Sequence, residues 1–132
     1  GGERTIAATD LFRGFLETAI GPDEMLTEIR VPKTRGGWSY QKFNRRAQDW
    51  AIVGVAVATT NGSPSVALVN MGSTPLRASA VEAALAGGSS AEEASQAAAE
   101  GTEPPADLNA SPEYRAHLAR VLVRRGLEEA AR

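Results

Sequence analysis

The sequence contains no cysteine and only one histidine, His117. Without cysteine the chain can form neither a disulfide framework nor a cluster of thiolate metal ligands. One histidine cannot supply a site built on several imidazoles, and no catalytic triad is evident around it. We therefore expect His117 to be a surface or helix-packing residue, and we predict no metal site and no catalytic residue in this chain.

Aromatic residues and excess charge of one sign are also scarce. Aromatic residues make up 5% of the chain, so we expect a core of valine, leucine and alanine. The formal net charge of −2 argues against a dedicated nucleic-acid-binding protein. No apolar run approaches the roughly 20 residues that a membrane span needs, and the N-terminus has no signal-peptide pattern. The expected location is the cytoplasm, with no nucleic-acid partner and no membrane span.

The 132 residues fit a single domain of the α+β class. Residues 1–32 form a lead-in, residues 38–72 a sheet and residues 75–132 a helical cluster. The predicted fold is a three-stranded antiparallel sheet followed by a cluster of about three helices.

The predicted strands are residues 38–45, 51–60 and 65–71. Residues 51–60 form a nearly continuous run of small apolar side chains, which predicts a central strand covered on both faces. Asn61 and Gly62 both tolerate positive φ, which predicts a type I′ hairpin turn between the last two strands. Residues 10–16 are read as a short turn or helical piece, and residues 26–32 as a short extended segment.

Helix punctuation is clear in the second half of the sequence. The first predicted helix begins at Thr74-Pro75 and ends before Gly87, and the second begins at Ser90 and ends at Gly101. The third begins at Ser111-Pro112. Ser90 and Glu93 have capping-box spacing, while Ser111 precedes a proline at the first helical position. Gly126 lies inside the last helix, where glycine is unfavourable, which predicts close packing at that point.

The densest group of polar and aromatic residues covers positions 40–50, between the first two predicted strands. Lys42 could meet an anionic or electron-rich ligand, and Asp49 could accept a hydrogen bond from a ligand ring. Trp50 offers a flat face for stacking. The alternative interpretation is an ordinary connecting loop with solvated charges and Trp50 packed into the core.

Five stretches of the sequence resemble one known family in their order and spacing. They are Glu3-Arg4-Thr5-Ile6 with Asp10-Leu11-Phe12; Asp23-Glu24-Met25-Leu26-Thr27-Glu28-Ile29-Arg30-Val31-Pro32; Tyr40-Gln41-Lys42-Phe43 with Arg45-Arg46 and Asp49-Trp50; Thr74-Pro75-Leu76-Arg77-Ala78 with Glu82 and Leu85; and Tyr114-Arg115 with Leu118-Ala119 and Val121-Leu122. The chain resembles the C-terminal domain of the FAD-binding (medium) subunit of the carbon monoxide dehydrogenase and xanthine dehydrogenase family, the molybdenum hydroxylases.

The resemblance implies a role in electron transfer within an oxidoreductase. In this family a molybdenum-cofactor large subunit oxidises the substrate, an iron–sulfur small subunit relays the electrons, and the FAD subunit passes them to an acceptor. The resemblance also implies cofactor-binding residues: Lys42 reaches the flavin, Leu26 contacts it, and Asp49 lies in the adjoining motif. Trp50 stands where the family more often has a tyrosine near the isoalloxazine face, so the stacking surface is kept and the hydroxyl is lost.

The family's glycine-rich loops, which cradle the FAD pyrophosphate, belong to an N-terminal FAD domain that does not match any part of this sequence. FAD is therefore expected in the full-length subunit, and the 132-residue fragment alone is expected to be inactive and to lack it. Two other interpretations remain. The chain could be a subunit-assembly module without its own cofactor, or an unrelated small α+β domain.

Overall fold

The computed structural model describes residues 2–33, 35–60 and 62–132. The chain divides into two compact units, Gly1–Lys33 and Thr34–Arg132. The division falls one residue beyond the end of the predicted lead-in.

The first unit contains a short helix and a small hairpin. Helix α1 (Ala8–Leu11) leads directly into strand β1 (Phe12–Gly14), which pairs antiparallel with β2 (Glu17–Thr18). Leu16 adopts a positive φ of 57° in the turn between the strands. The prediction of a turn or helical piece for residues 10–16 was therefore incomplete, because the three-residue strand β1 within this range is too short to leave a periodic pattern. No strand forms at residues 26–32.

An ion pair and a backbone hydrogen bond organise the turn at residues 21–24 of the first unit. The Arg4 guanidinium donates to both carboxylate oxygens of Glu24, at 2.5 and 2.6 Å, and to the carbonyl of Ala19 at 2.6 Å. The amide of Gly21 donates to Glu24 Oε2 at 2.6 Å. These bonds lower the pKa of Glu24 to about 2, and the hydrogen bond from Arg4 is the largest cause.

The second unit is built on a four-stranded antiparallel sheet in the order β3-β4-β5-β6. Its strands are β3 (Trp38–Phe43), β4 (Val53–Thr60), β5 (Ser63–Val69) and β6 (Leu76–Arg77). The predicted three strands are present, but the three-stranded sheet was wrong because β6 is a fourth strand. Gly62 has the expected positive φ of 82°, whereas Asn61, the other residue of the predicted turn, lies outside the described residues.

Three helices follow the sheet, as predicted, and α1 of the first unit is a fourth. The three helices after the sheet are α2 (Ser79–Ala86), α3 (Ala91–Ser95) and α4 (Pro112–Ala130). Helix α3 continues as a 3₁₀ helix over Gln96–Ala99. The predicted helix start at Thr74-Pro75 was wrong, since the chain first pairs as β6. The Ser90–Glu93 capping box and the Ser111 cap before Pro112 are confirmed.

One face of the sheet carries the core. The valines of β4 at positions 53, 55 and 57 are buried with Val66 and Leu68 of β5, and they form one cluster with Leu118, Ala119, Leu122 and Val123 of α4. The predicted valine, leucine and alanine core is confirmed. The other face of β4 is small and partly accessible, with Ala56 and Ala58 half-buried. The prediction that this strand is covered on both faces was therefore wrong. The partly accessible face carries glycine and alanine in place of polar side chains, so the sequence does not show the alternation of apolar and polar residues expected of a half-exposed strand.

Gly126 allows α4 to approach the sheet closely. A Cβ atom at this position would lie 2.9 Å from Cγ2 of the buried Val57 and 3.6 Å from Cγ of Gln41. Three residues further along α4, Glu129 Oε2 accepts hydrogen bonds from Ser39 Oγ at 2.6 Å and Gln41 Nε2 at 2.5 Å. The close packing predicted at Gly126 is therefore confirmed.

Candidate functional site

The connection between β3 and β4 contains most of the residues that the sequence singled out, and residues 44–52 are called the β3–β4 loop. At its base, the Ile52 amide donates to the Phe43 carbonyl at 2.7 Å. Inside the loop, the Asp49 amide donates to the Arg46 carbonyl at 3.1 Å. The loop is therefore an ordered excursion from the sheet with a closed base.

Trp50 lies in this loop with 80% of its surface exposed. The interpretation of Trp50 as part of the core is wrong, because the core consists of small aliphatic side chains on the α4 side of the sheet. Asp49 is half-buried beside it. An exposed indole at the end of an ordered loop is a surface on which a planar ligand can stack.

Lys42 lies near the end of β3 on the sheet face opposite α4. Along β3, Trp38, Tyr40 and Lys42 are exposed, while Ser39 is buried and Gln41 half-buried towards α4. None of the ion pairs among the described residues involves Lys42. Its ammonium group therefore remains accessible to an anionic or electron-rich partner.

The loop returns to the sheet beside Lys42. Lys42 pairs across the strands with Gly54, and a Cβ atom on Gly54 would lie 3.4 Å from the Tyr40 hydroxyl and 3.6 Å from Cβ of Ala51. Ala51 directly follows Trp50 in the chain. The structure thus brings the end of the loop, Tyr40 and the cross-strand partner of Lys42 together on one sheet face.

Leu26 lies in the first unit. It has 55% of its surface exposed, and the neighbouring Met25 is 81% exposed. Other large apolar side chains of this unit are also exposed: Phe12, Phe15, Leu16, Ile29 and Val31. Leu26 therefore belongs to a stretch whose apolar side chains have little cover within its own unit.

Two side chains from distant parts of the second unit hold the base of the loop. Asn70 Nδ2 donates to the carbonyls of Ala51 at 2.9 Å and Ile52 at 3.3 Å. Arg115 Nη1 also donates to the Ile52 carbonyl, and Arg115 Nη2 donates to Asp107 Oδ2 at 2.7 Å. Arg115 has no exposed surface, so this is a buried charge with a fixed orientation.

The turn that follows Asp107 orients its carboxylate towards Arg115. Its Oδ1 accepts hydrogen bonds from the amides of Asn109 at 2.8 Å and Ala110 at 3.0 Å. The pKa of Asp107 is held below its ordinary value, and the hydrogen bond from the Asn109 amide is the largest cause. The Ala110 amide and the Arg115 guanidinium also lower it. The carboxylate is therefore ionised at neutral pH and balances the buried arginine.

Sequence reasoning missed Asn70, Arg115 and the position of Tyr40 as parts of this region. Arg115 was noticed within a family-like stretch, but nothing in its neighbours reveals that it reaches Ile52, 63 positions earlier in the chain. Asn70 has a positive φ of 61°, and its only local signal is that asparagine tolerates this conformation.

Metal and membrane sites receive no support. The described part of the chain has no group of three or more metal-ligating side chains. His117 is exposed on α4, as expected. No helix within the described ranges is long and apolar enough to cross a membrane.

Residues 38–130 match the family model described as the CO dehydrogenase flavoprotein C-terminal domain. The matched region includes the whole four-stranded sheet, the β3–β4 loop and all of α4. The chain belongs to this family. The family resemblance stated from the sequence is thereby confirmed.

Similar proteins agree with this assignment. The carbon monoxide dehydrogenase medium chain of Hydrogenophaga pseudoflava is 36% identical, over 98% of this chain and 49% of that protein. The nicotine 6-hydroxylase medium subunit of Paenarthrobacter nicotinovorans is 33% identical over the same shares. A solved structure of the Hydrogenophaga pseudoflava carbon monoxide dehydrogenase superposes with a TM-score of 0.86 and 37% identity, covering 96% of this chain and 48% of that one. The chain spans about half the length of the relatives that it matches.

Proposed function

We propose that this chain is part of the FAD-binding subunit of a molybdenum hydroxylase, in which it lines one side of the flavin. The supporting observation is the exposed Trp50 on the ordered β3–β4 loop together with the accessible Lys42 on the strand that leads into this loop, in a domain that belongs to a flavoprotein family. The two residues offer a stacking surface and a positive charge, which are the features that a planar, electron-rich ring system requires.

The side chains present fit a flavin chemically. Trp50 provides the stacking surface, Lys42 a positive charge for the carbonyl-bearing edge, and Asp49 an acceptor for a ring N–H. Leu26 belongs to the first unit, and its proposed apolar contact with the flavin rests on the family resemblance alone. Bound FAD supplies the chemistry of electron transfer, while these residues bind it, orient it and set the local charge.

The proposed setting is a multisubunit oxidoreductase. The partners would be an N-terminal FAD domain, a large subunit with the molybdenum cofactor and a small iron–sulfur subunit. The relatives include subunits of a carbon monoxide dehydrogenase and of a nicotine 6-hydroxylase, so similar chains serve enzymes with different substrates. The substrate is therefore chosen outside the part of the subunit that this chain represents.

The second candidate function is a subunit-assembly module without its own cofactor. The observation that favours it is the large number of exposed apolar side chains in the first unit, which a partner surface could cover. Under this hypothesis Lys42 and Trp50 would have no ligand.

Substitutions in the full-length subunit separate the two functions. Trp50→Ala should weaken FAD binding roughly tenfold through the loss of one stacking contact. Lys42→Met should weaken it through the loss of the positive charge, and complex assembly should persist in both variants. Lys33→Met and Trp38→Ala are matched controls, because they remove the other lysine and the other exposed tryptophan. Flavin content and complex mass would be measured together. Normal flavin content with failed assembly would instead favour the assembly module.

A further inference from the structure

We infer that Asn70 and Arg115 are positioning residues for the β3–β4 loop. They fix the carbonyl groups of Ala51 and Ile52, and thereby the place of Trp50 and Asp49. The inference deepens the proposed function and rests on it, because its importance depends on the loop contacting the flavin.

Asn70 acts on the loop from the end of β5. Its amide nitrogen bonds two successive carbonyls, Ala51 at 2.9 Å and Ile52 at 3.3 Å. Its backbone is in the left-handed region, with φ at 61°. Asparagine and glycine adopt this conformation most readily, but only asparagine also provides the amide donor.

Arg115 acts on the same point from α4. One terminal nitrogen donates to the Ile52 carbonyl and the other to Asp107. Its Nε is the one buried side-chain nitrogen or oxygen in the described chain that has no partner. The orientation of the guanidinium is thus set by its two terminal nitrogens, and it joins the loop base to the turn at Asp107.

The exposed residues of the loop need this support. Trp50 is 80% exposed, so packing within this unit contributes little to holding its ring. The two residues that follow it carry the bonded carbonyls. A stacking contact is strongest when the aromatic ring is already held in place, since binding then loses less conformational entropy.

Asn70→Gly tests this role in the full-length subunit. Glycine keeps the left-handed backbone and removes only the two side-chain bonds. Ser73→Gly is the matched control, because it adds a glycine at a nearby exposed position. The loop contains the exposed Arg45 and Arg46, so trypsin cleavage at these sites, resolved by mass spectrometry, reports loop opening without any need for flavin.

The expected result has three parts. Asn70→Gly should accelerate cleavage at Arg45 and Arg46 by about fivefold, the effect of one ordinary net hydrogen bond on an opening equilibrium. It should weaken FAD binding, with less quenching of flavin fluorescence, and it should leave the thermal midpoint close to that of Ser73→Gly. A purely structural role would lower the thermal midpoint without selective opening of the loop.

Arg115→Lys provides a second test, with Arg125→Lys as the control on an exposed face of the same helix. A lysine cannot bond Ile52 and Asp107 in the fork geometry of a guanidinium, so the same selective opening is expected. Unchanged cleavage at Arg45 and Arg46 in both variants would overturn the inference. Faster cleavage with unchanged FAD affinity would also overturn it, and normal flavin content in Lys42→Met and Trp50→Ala would then reject the proposed function as well.

Discussion

At the scale of single residues, Gly126 shows how packing can outweigh helix propensity. Replacement of a helical glycine by alanine ordinarily stabilises a helix by about 1 kcal/mol. At Gly126 the new methyl would lie 2.9 Å from Cγ2 of Val57, a stiff side chain in the core. Overpacking of this kind typically costs about 1–3 kcal/mol, which exceeds the gain in helix propensity and makes the substitution destabilising.

We therefore expect Gly126→Ala to lower the free energy of unfolding by about 1 kcal/mol net. Urea unfolding of the chain measures this change. The double variant Gly126→Ala/Val57→Ala should lose less stability than the two single variants lose in sum, because the smaller side chain at position 57 makes room for the new methyl group. A more stable Gly126→Ala variant would contradict the packing that is described for α4.

Glu24 provides a residue-scale prediction that depends on pH. The Arg4 side chain and the Gly21 amide lower its pKa from 4.5 to about 2. A lowered pKa in the folded state means that these bonds contribute fully above the unfolded value and are lost as pH falls towards 2. A carboxyl NMR titration should therefore find a low midpoint for Glu24, and Arg4→Gln should raise it. Equal Glu24 titration midpoints in the unsubstituted chain and in Arg4→Gln would exclude the Arg4 contact.

At the scale of elements, the capping box fixes the start of α3. Ser90 Oγ accepts from the Glu93 amide at 3.2 Å, and Glu93 Oε2 accepts from the Ser90 amide at 2.9 Å. The Ser90 bonds, with the backbone bond as the largest cause, hold the pKa of Glu93 below its ordinary value. Local signals of this kind are readable from sequence because both partners lie within one turn.

Ser90→Ala should lower the free energy of unfolding by about 1 kcal/mol, since an alanine cap cannot accept from the Glu93 amide. Chemical unfolding near neutral pH checks the value. Ser89→Ala is the neighbouring control, because its side chain is outside the capping box. An equal effect of the two substitutions would mean that the cap does not stabilise α3.

Strand β6 is an element that local signals did not reveal. Leu76 and Arg77 follow Thr74-Pro75, a dipeptide that favours a helix start. They pair instead with Leu68 and Ala67 of β5, and the Ala78 amide donates to the Val66 carbonyl at 2.9 Å. The edge of an existing sheet offers hydrogen bonds that only the folded β5 can provide, and this advantage exceeds a weak helical preference.

At the scale of the whole molecule, the central expectation concerns cofactor retention. The chain spans about half of the carbon monoxide dehydrogenase medium chain and of the nicotine 6-hydroxylase medium subunit. The family resemblance leads us to expect the glycine-rich phosphate-binding loops in the other half of such a subunit. We expect the purified 132-residue chain to be colourless. Absorbance in the flavin region, normalised to protein concentration, measures this. A yellow preparation with stoichiometric flavin would contradict the expectation and would place most of the binding free energy within this chain.

The sequence by itself determined the features that depend on neighbouring residues: three strands, the caps at Ser90 and Ser111, the small aliphatic core and the family. It also singled out Lys42, Asp49 and Trp50 as candidate flavin contacts, which stays a prediction. Only the tertiary structure decided that Trp50 is exposed, that one face of β4 remains partly open, and that Asn70 and Arg115 meet at Ile52. The physical reason is range. Caps and turns act within a few residues, whereas burial and the pairing of a charge with a carbonyl 63 positions away exist only once the sheet and α4 have packed together.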